Sequence, residues 1–391
     1  MKIDKTDWKP YKLIDVLTKK EENDRENAHS RFDRFLKVND MDAESLHINK
    51  WSSQKEGEEI NPTFYKIFRK GQILFPTRNP HLRRTVLASF DGICGEKTLT
   101  LEPESEIVLP EFVPFLFHSD NFYAHTTGAI IGSTNPHCRW RDVAKFEFLL
   151  PPKDQQAQFA KLLWAMDEVI EREKEVLKKL KIAYQVQIEK SVPRETKESW
   201  ILGDVIKTRK GVTYKSSDYS DEEHGLPLLN LKSIERGGGF NTEGIKYYKG
   251  AYKEDHFAKN NDLIIACTDI TREGRVVGFP LHPSVYQNKR MLFTMDLVAI
   301  EISNSVLLRD YLYYVLKAGW VHWILFAYSP GTTVLHLDLN GMKKIRLPKY
   351  SVEQQEKIVY KLRSLEESIF NLESKINSSI SLQKSLINQV F

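Results

Sequence analysis

The chain repeats itself, and that constrains its fold more than any other feature. Pro151-Pro152-Lys153-Asp154-Gln155-Gln156 matches Pro348 to Gln355, the second copy carrying a short insertion. From the paired glutamines onward the copies align without gaps at a constant offset of 199. Phe159 falls on Ile358, Leu163 on Leu362, Met166 on Leu365, Ile170 on Ile369 and Leu177 on Ile376, and the acidic pair Asp167-Glu168 falls on Glu366-Glu367. In the second copy Ile358, Leu362, Leu365, Ile369, Leu372, Ile376, Leu386 and Val390 recur in steps of three and four, interrupted by Ser379 and Gln383. The first copy continues through Leu180 and Tyr184 and is broken at Glu173.

This spacing predicts two long helices with a coiled-coil seam. Proline with Asp154, and Ser351 with Gln354 three residues on, supply the starts, and Pro193 stops the first helix. A helix of about 38 residues spans about 57 Å. Neither stripe is wide enough to stand alone in water, so the two are expected to pair. The alternative is that both are core helices of one globular domain.

The segments before the helices repeat more weakly. Lys12 to Val16 resembles Ile201 to Val205, each preceded by a tryptophan, Trp8 and Trp200. Gly71 to Phe75 matches Asn261 to Ile265 as a turn entering a buried strand, and Arg84-Thr85-Val86 answers Arg275-Val276-Val277. Gly132-Ser133-Thr134 with His137 answers Gly331-Thr332-Thr333 with His336 at the same offset of 199, whereas residues 20 to 60 have no clear match. The expected fold is α+β: two globular domains (1–150 and 196–347) separated by two long antiparallel helices (151–195 and 348–391), a tandem repeat with pseudo-two-fold symmetry.

Composition narrows the function classes. A 391-residue chain with 41% hydrophobic and 28% charged residues is an ordinary globular protein, and a net charge of +4 permits nucleic acid without requiring it. Oppositely charged residues are interspersed, and the exposed helical faces are expected to carry much of the acid. Cys94, Cys138 and Cys267 are far apart, which argues against a zinc knuckle and a disulfide scaffold. A polar start and the lack of a long apolar run predict a cytoplasmic protein with no membrane span.

Binding DNA takes lysine and arginine, and reading it takes donors and acceptors that reach base edges. From Lys66 to Arg84 there are six basic residues (Lys66, Arg69, Lys70, Arg78, Arg83 and Arg84) and no acidic one, with Thr77, Asn79 and His81 among them. The second half offers Thr268, Asp269, Thr271, Arg272 and Arg275 in the matching place, then Lys289 and Arg290. Arginine pairs with guanine and asparagine with adenine. Asp269 fits either acceptance from a cytosine amino group or the orienting of an arginine. Ser133, Thr134, Thr332 and Thr333 suit either phosphate contacts or a tight turn. His137 and His336 lack a second ligand at metal spacing. Gly237-Gly238-Gly239 lacks the Lys-Ser/Thr of a nucleotide loop and reads as a mobile loop.

This order of parts, with Gly-Ser/Thr-Thr, a hydrophobic stretch, proline and a Gln-Gln helix in duplicate, resembles the specificity subunits of Type I restriction-modification systems. Leu74-Phe75 through Arg83-Arg84 to Phe90-Asp91-Gly92-Ile93-Cys94 is similar to that family's target-recognition domains. The resemblance implies that domains 1–150 and 196–347 each read one half of a split double-stranded DNA sequence. It also implies that the helices act as a spacer and that two methyltransferase subunits dock on the chain. Restriction and translocase subunits would join through the complex. S-adenosylmethionine, and ATP with Mg2+ for restriction, would belong to those partners, leaving no cofactor or metal here. Trp164 and Tyr360 on the helix exteriors are candidate docking residues.

The residues themselves offer no catalytic set. Asn79-Pro80-His81 and Asn135-Pro136-His137 lack the second proline and the aromatic of an adenine methyltransferase, and no nuclease carboxylate cluster or Walker loop is evident. Two other functions share the pattern: the recognition subunit of a Type IIB-like or phage-defence methylase, and a coiled-coil scaffold that reads no bases.

Overall fold

The computed structural model describes residues 3–134 and 136–391. Met1, Lys2 and Asn135, the last belonging to the Asn-Pro-His triplet above, lie outside them. The chain forms two compact units, Met1–Glu175 with Ser374–Phe391, and Val176–Glu373. Each holds one β-rich segment and a stretch of both long helices, Lys153–Ser191 and Val352–Val390, which are 39 residues each. The expected α+β plan holds in this form.

Both units are built alike. In the first, Lys9–Lys12 pairs antiparallel with Glu147–Leu150, just before the long helix; in the second, Ser199–Ile201 pairs with Arg346–Pro348. A one-turn helix follows in each, Leu13–Val16 and Leu202–Val205, with its apolar ends buried. The main sheet comes next. Thr98–Pro103 lies between Leu17–Lys19 and Ile73–Pro76 in one unit, and Leu297–Ile302 between Ile206–Lys210 and Asp262–Ala266 in the other. Ile73–Pro76 and Asp262–Ala266 are wholly buried, so a strand of each core feeds directly into the loop that follows it.

Residues 20 to 60, unmatched in sequence, have a structural counterpart. They supply Glu22–Asn23, Arg34–Leu36 and Ser52–Ser53 to a second sheet, in which Phe35 and Leu36 run parallel to Ile93 and Cys94. The second unit has its own second sheet, also with one parallel pair: Leu228 and Leu229 beside Leu292 and Phe293. Alternation and burial preserve such a pairing while side-chain identity drifts.

The helices pack antiparallel within each unit. In the first, Gln383 Nε2 donates to the Leu163 carbonyl at 3.2 Å and Lys375 meets Glu173 at 2.7 Å. In the second, Lys181 meets Glu373 at 2.6 Å and Tyr184 donates to Glu366 at 3.2 Å. Glu173 and Gln383, which break the apolar stripes, therefore make interhelical polar bonds. The predicted packing residues divide their work. Ile170 and Ile376 are buried along the helices, with Met166 and Leu177 half-buried. Leu163 and Leu362 are fully buried in the cores of their own units, with Phe159 packed against the first core and Ile358, Leu365 and Ile369 against the second. The stripe is thus a coiled-coil seam in part and a core helix face at each N-terminal end. Ser351 and Gln354 form the expected reciprocal cap, Ser351 N–H donating to Gln354 Oε1 at 2.9 Å and Gln354 N–H to Ser351 Oγ at 3.3 Å.

Two polar devices recur at the 199-residue offset and fasten each long helix to the segments packed against it. Gln156 is buried; its Oε1 accepts from Leu109 N–H at 2.8 Å and its Nε2 donates to the Pro151 carbonyl at 2.9 Å. Gln355 does the same with Leu308 N–H at 2.9 Å and the Tyr350 carbonyl at 2.9 Å. The repeated acid is the second device. Asp167 accepts from His47 at 2.6 Å, and Glu366 accepts from Tyr313 at 2.9 Å, Tyr314 at 3.0 Å and Lys317 at 2.9 Å. These acids turn inward, against the expectation of a solvated acidic face.

The bond to Asp167 raises the His47 pKa above its ordinary value, outweighing partial burial. Its stabilising contribution is complete below the unfolded value of about 6.5 and is lost as pH rises through the higher folded value. Asp167→Asn is expected to flatten that pH dependence in denaturant titrations between pH 6 and 8. The effect is small, because 37% of the His47 side chain is exposed.

Candidate nucleic-acid interface

The loop leaving the buried strand of the first unit is short and mostly committed to the fold. Thr77 is buried, its N–H and hydroxyl both donating to the Lys97 carbonyl at 2.8 Å. Arg78 is exposed, with no side-chain bond found among the described residues, and its backbone bridges to His137. Asn79 takes a left-handed conformation (φ 49°), donates its N–H to the Pro136 carbonyl at 3.1 Å, and opens a single turn, Pro80–Leu82, that leaves His81 exposed. Ser133 and Thr134 are exposed beside this loop, since His137 also bridges Ile131.

The rest of the basic run is occupied elsewhere or, for Lys70, stands away from this loop. Arg69 binds Glu22 at 2.6 Å and Asp91 at 2.9 Å, which raises its pKa still further. With Lys70, whose N–H donates to Asp91, it sits at the other end of strand Ile73–Pro76 from the loop. Arg83 binds Asp120 at 2.5 Å and Glu44 at 2.9 Å and stacks over the Tyr123 ring at 4.9 Å. Arg84 donates to the Val38 carbonyl and to Asn39. Lys66 is buried against Glu21. Arg69, Arg83 and Arg84, expected at DNA, therefore brace the fold. Sequence reasoning did not bring together Lys19, Arg25, Lys97 and Arg139, which line a groove with Glu21, Glu96, Tyr65, Thr77 and His137. The nearest signal was Arg139, two residues after the repeated histidine.

The second unit places the same two segments together. Thr268 and Asp269 pair antiparallel with His336 and Leu335. Thr268 thus meets the repeated histidine in the position that Arg78 holds in the first unit. Thr268 is itself buried and bonds Asp296 at 3.3 Å. Asp269 is fully buried and accepts from Thr271 N–H and Oγ1 at 2.7 Å each, Val276 N–H at 2.6 Å and Val277 N–H at 3.1 Å. Burial would raise its pKa, yet these four donors hold it below the usual carboxylate range. It organises the loop and has no exposed oxygen for a base, which corrects that expectation. Thr271 is half-buried in the same network. Arg272 is exposed, with no partner found among the described residues, and Arg275 is exposed beside Glu273 at 3.5 Å.

Thr332 and Thr333 are exposed on a turn that requires Gly331: at φ 149° an added Cβ would meet the Val334 carbonyl at 2.0 Å. Lys289 and Arg290 lie just before Leu292–Phe293 of the other sheet, where Arg290 binds Glu254 at 2.9 Å and lies over Phe257 at 4.0 Å. In each unit, then, an exposed arginine on the post-strand loop and two exposed hydroxyl residues on a glycine turn are joined through one histidine.

Among the described residues no group of three or more His, Cys, Asp and Glu could hold a metal ion. The cysteines are free, and burial pushes the Cys94 thiol up to about 12. No helix of the described residues is long and apolar enough to cross a membrane.

Two units of one plan, each presenting a basic, hydroxyl-bearing loop pair, define a duplicated recognition protein. The model of the Type I restriction modification DNA specificity domain matches residues 5–181. The specificity subunit of the Type I restriction enzyme MjaIX from Methanocaldococcus jannaschii is 21% identical over 84% of this chain and 77% of its own length. That of EcoBI from Escherichia coli is 23% identical over 43% of this chain and 32% of its own. Among solved structures, the Type I restriction-modification S subunit from M. genitalium superposes with a TM-score of 0.58 at 15% identity, covering 100% of this chain and 98% of that one. A chain from a type I R-M system, studied for complex assembly and conformational transition, gives 0.60 at 20% identity, covering 98% and 97%. By family model over its first half, by curated relatives and by fold, the chain is similar to the specificity subunits of Type I restriction-modification systems.

Proposed function

We propose that this chain is the non-catalytic DNA-recognition subunit of a Type I restriction-modification complex and that it reads a split target, one half with each unit. The observation that carries this reading is the duplicated pairing of the post-strand loop with the glycine turn through His137 and His336. Arg78, Asn79 and His81 with Ser133 and Thr134 form one reading surface, and Arg272 and Arg275 with Thr332 and Thr333 form the other. Exposed arginines suit guanine edges or phosphates, and hydroxyls and turn N–H groups suit phosphates. Beyond an exposed arginine in each, the two loops present different side chains, His81 and Leu82 in one and Ile270 and Glu273 in the other, so the two halves of the target differ.

Methylation and cleavage belong to partner subunits, with methyltransferase subunits docking on the helices. Tyr360, 80% exposed, suits such docking. Trp164 does not: its Nε1 donates to the Glu111 carbonyl at 2.7 Å and its ring packs on Phe115. The helices serve as a spacer that sets the gap between half-sites.

Co-expression with the methyltransferase encoded beside it, followed by genome-wide mapping of modified adenines, tests the reading. The expected result is a bipartite motif. Replacing residues 196–347 with those of another family member changes one half alone. Arg78→Ala and Arg272→Ala each weaken binding by about 10- to 100-fold, each at its own half-site. A complex that binds no split site in salt titrations points to the scaffold function instead.

A further inference from the structure

Ile270 stands at the tip of the second unit's reading loop with 75% of its surface exposed. A single exposed aliphatic side chain needs no explanation on most surfaces. Here its setting supplies one. The remainder of the loop, Thr271-Arg272-Glu273-Gly274-Arg275, is polar or glycine, and both arginines are exposed.

The loop also cannot fold the isoleucine away. Asp269, the residue before it, is fixed by four hydrogen bonds, and Arg275 N–H donates back to Thr271 Oγ1 at 3.1 Å. Gly274, at φ 62°, passes so close to the helix Gly319–Ala327 that an added Cβ would lie 2.2 Å from Phe326. A β-branched apolar group is thus held outward, rigidly, between a buried anchor and two cations. Such preorganisation leaves little ordering entropy to be lost on contact.

The edges of base pairs in the major groove offer one apolar group, the C5-methyl of thymine. We infer that Ile270 is a specificity-determining residue that contacts a thymine methyl in the half-site read by the second unit. The inference rests on the DNA-reading function proposed above. At the equivalent position, two residues beyond the histidine-bridged one, the first unit carries Pro80, which is buried; its exposed aliphatic side chain is Leu82, 39% exposed against 75% for Ile270.

The test uses the complex assembled with its co-expressed methyltransferase subunits and duplexes carrying the mapped site. Each thymine of the half-site assigned to residues 196–347 is replaced in turn by deoxyuridine, which removes only the methyl. At one position the unaltered complex is expected to lose about threefold to tenfold in affinity, the worth of one buried methyl group. Ile270→Ala loses the same factor on the thymine duplex and becomes indifferent to deoxyuridine there. Ile270→Leu keeps the sensitivity. A half-site without thymine, deoxyuridine that is neutral at every position, or unchanged sensitivity in Ile270→Ala overturns the inference. Failure of the unaltered complex to bind any split site overturns the recognition function itself, and the inference with it.

Discussion

Glu366→Ala is expected to destabilise the second unit by about 3–5 kcal/mol. The carboxylate is three-quarters buried and faces Lys317, whose side chain is only 8% exposed, at 2.9 Å. It also accepts from Tyr184, Tyr313 and Tyr314, and His282 lies 3.9 Å away. The mutation strands a buried ammonium and up to three phenolic hydroxyls, and a desolvated charge without a partner is the costliest of these. Burial raises the Glu366 pKa, but the ammonium and the hydroxyl donors overcome it and hold the group below its ordinary value. This contribution is present above the unfolded value of about 4.3 and is lost as pH falls through the lower folded one. Denaturant unfolding at pH 7, read with hydrogen exchange of the second unit, measures the effect. Lys317→Met together with Glu366→Gln is expected to recover most of the loss, because the pair is then removed as a pair. If Glu366→Ala alone costs under 1 kcal/mol, the cluster is solvated and the argument fails.

The same carboxylate shows how far local pattern reaches. Periods of three and four residues, a proline stop and a capping pair report on neighbours within one helical turn, so both long helices and their starts are legible in the sequence. The 199-residue offset made the repetition legible as well. It did not reveal why Gln156 and Gln355 recur, because their partners lie 47 residues away on another segment. Charge counting failed for the same reason. Arg69 finds Glu22 and Arg83 finds Glu44 across distances no run of sequence displays, and each is thereby removed from a loop that looked uniformly basic. What remained of the candidate surface was legible because it stood exposed: Arg78 and Arg272 on the loops after the buried strands, and the hydroxyls at the repeated positions after Gly132 and Gly331.

Asp269→Ala is expected to reduce affinity for a complete target by about 100-fold or more and to abolish discrimination across the whole half-site of the second unit. Two roles for this aspartate predict different outcomes. An acceptor at a base edge would relax specificity at one base pair, by about 1–3 kcal/mol, and leave its neighbours unchanged. An anchor for the loop backbone holds Thr271, Val276 and Val277 together, so its loss leaves three buried or half-buried N–H groups without partners. Each such group costs about 1–3 kcal/mol, which the loop relieves by opening. Arg272, Arg275 and Ile270 then lose their common geometry, and every position they read loses it together. Asp269→Asn keeps the shape and an acceptor oxygen but replaces the other with a donor facing backbone N–H groups, so it is expected to behave almost as badly. Binding to a panel of single-base-pair variants, with hydrogen exchange over residues 268–277, separates the two roles. Uniform loss with faster exchange identifies the anchor, and a change confined to one base pair with unchanged exchange identifies a direct contact. The first unit braces its loop through Arg83 and Arg84 instead, so its half-site is expected to keep full discrimination in both variants.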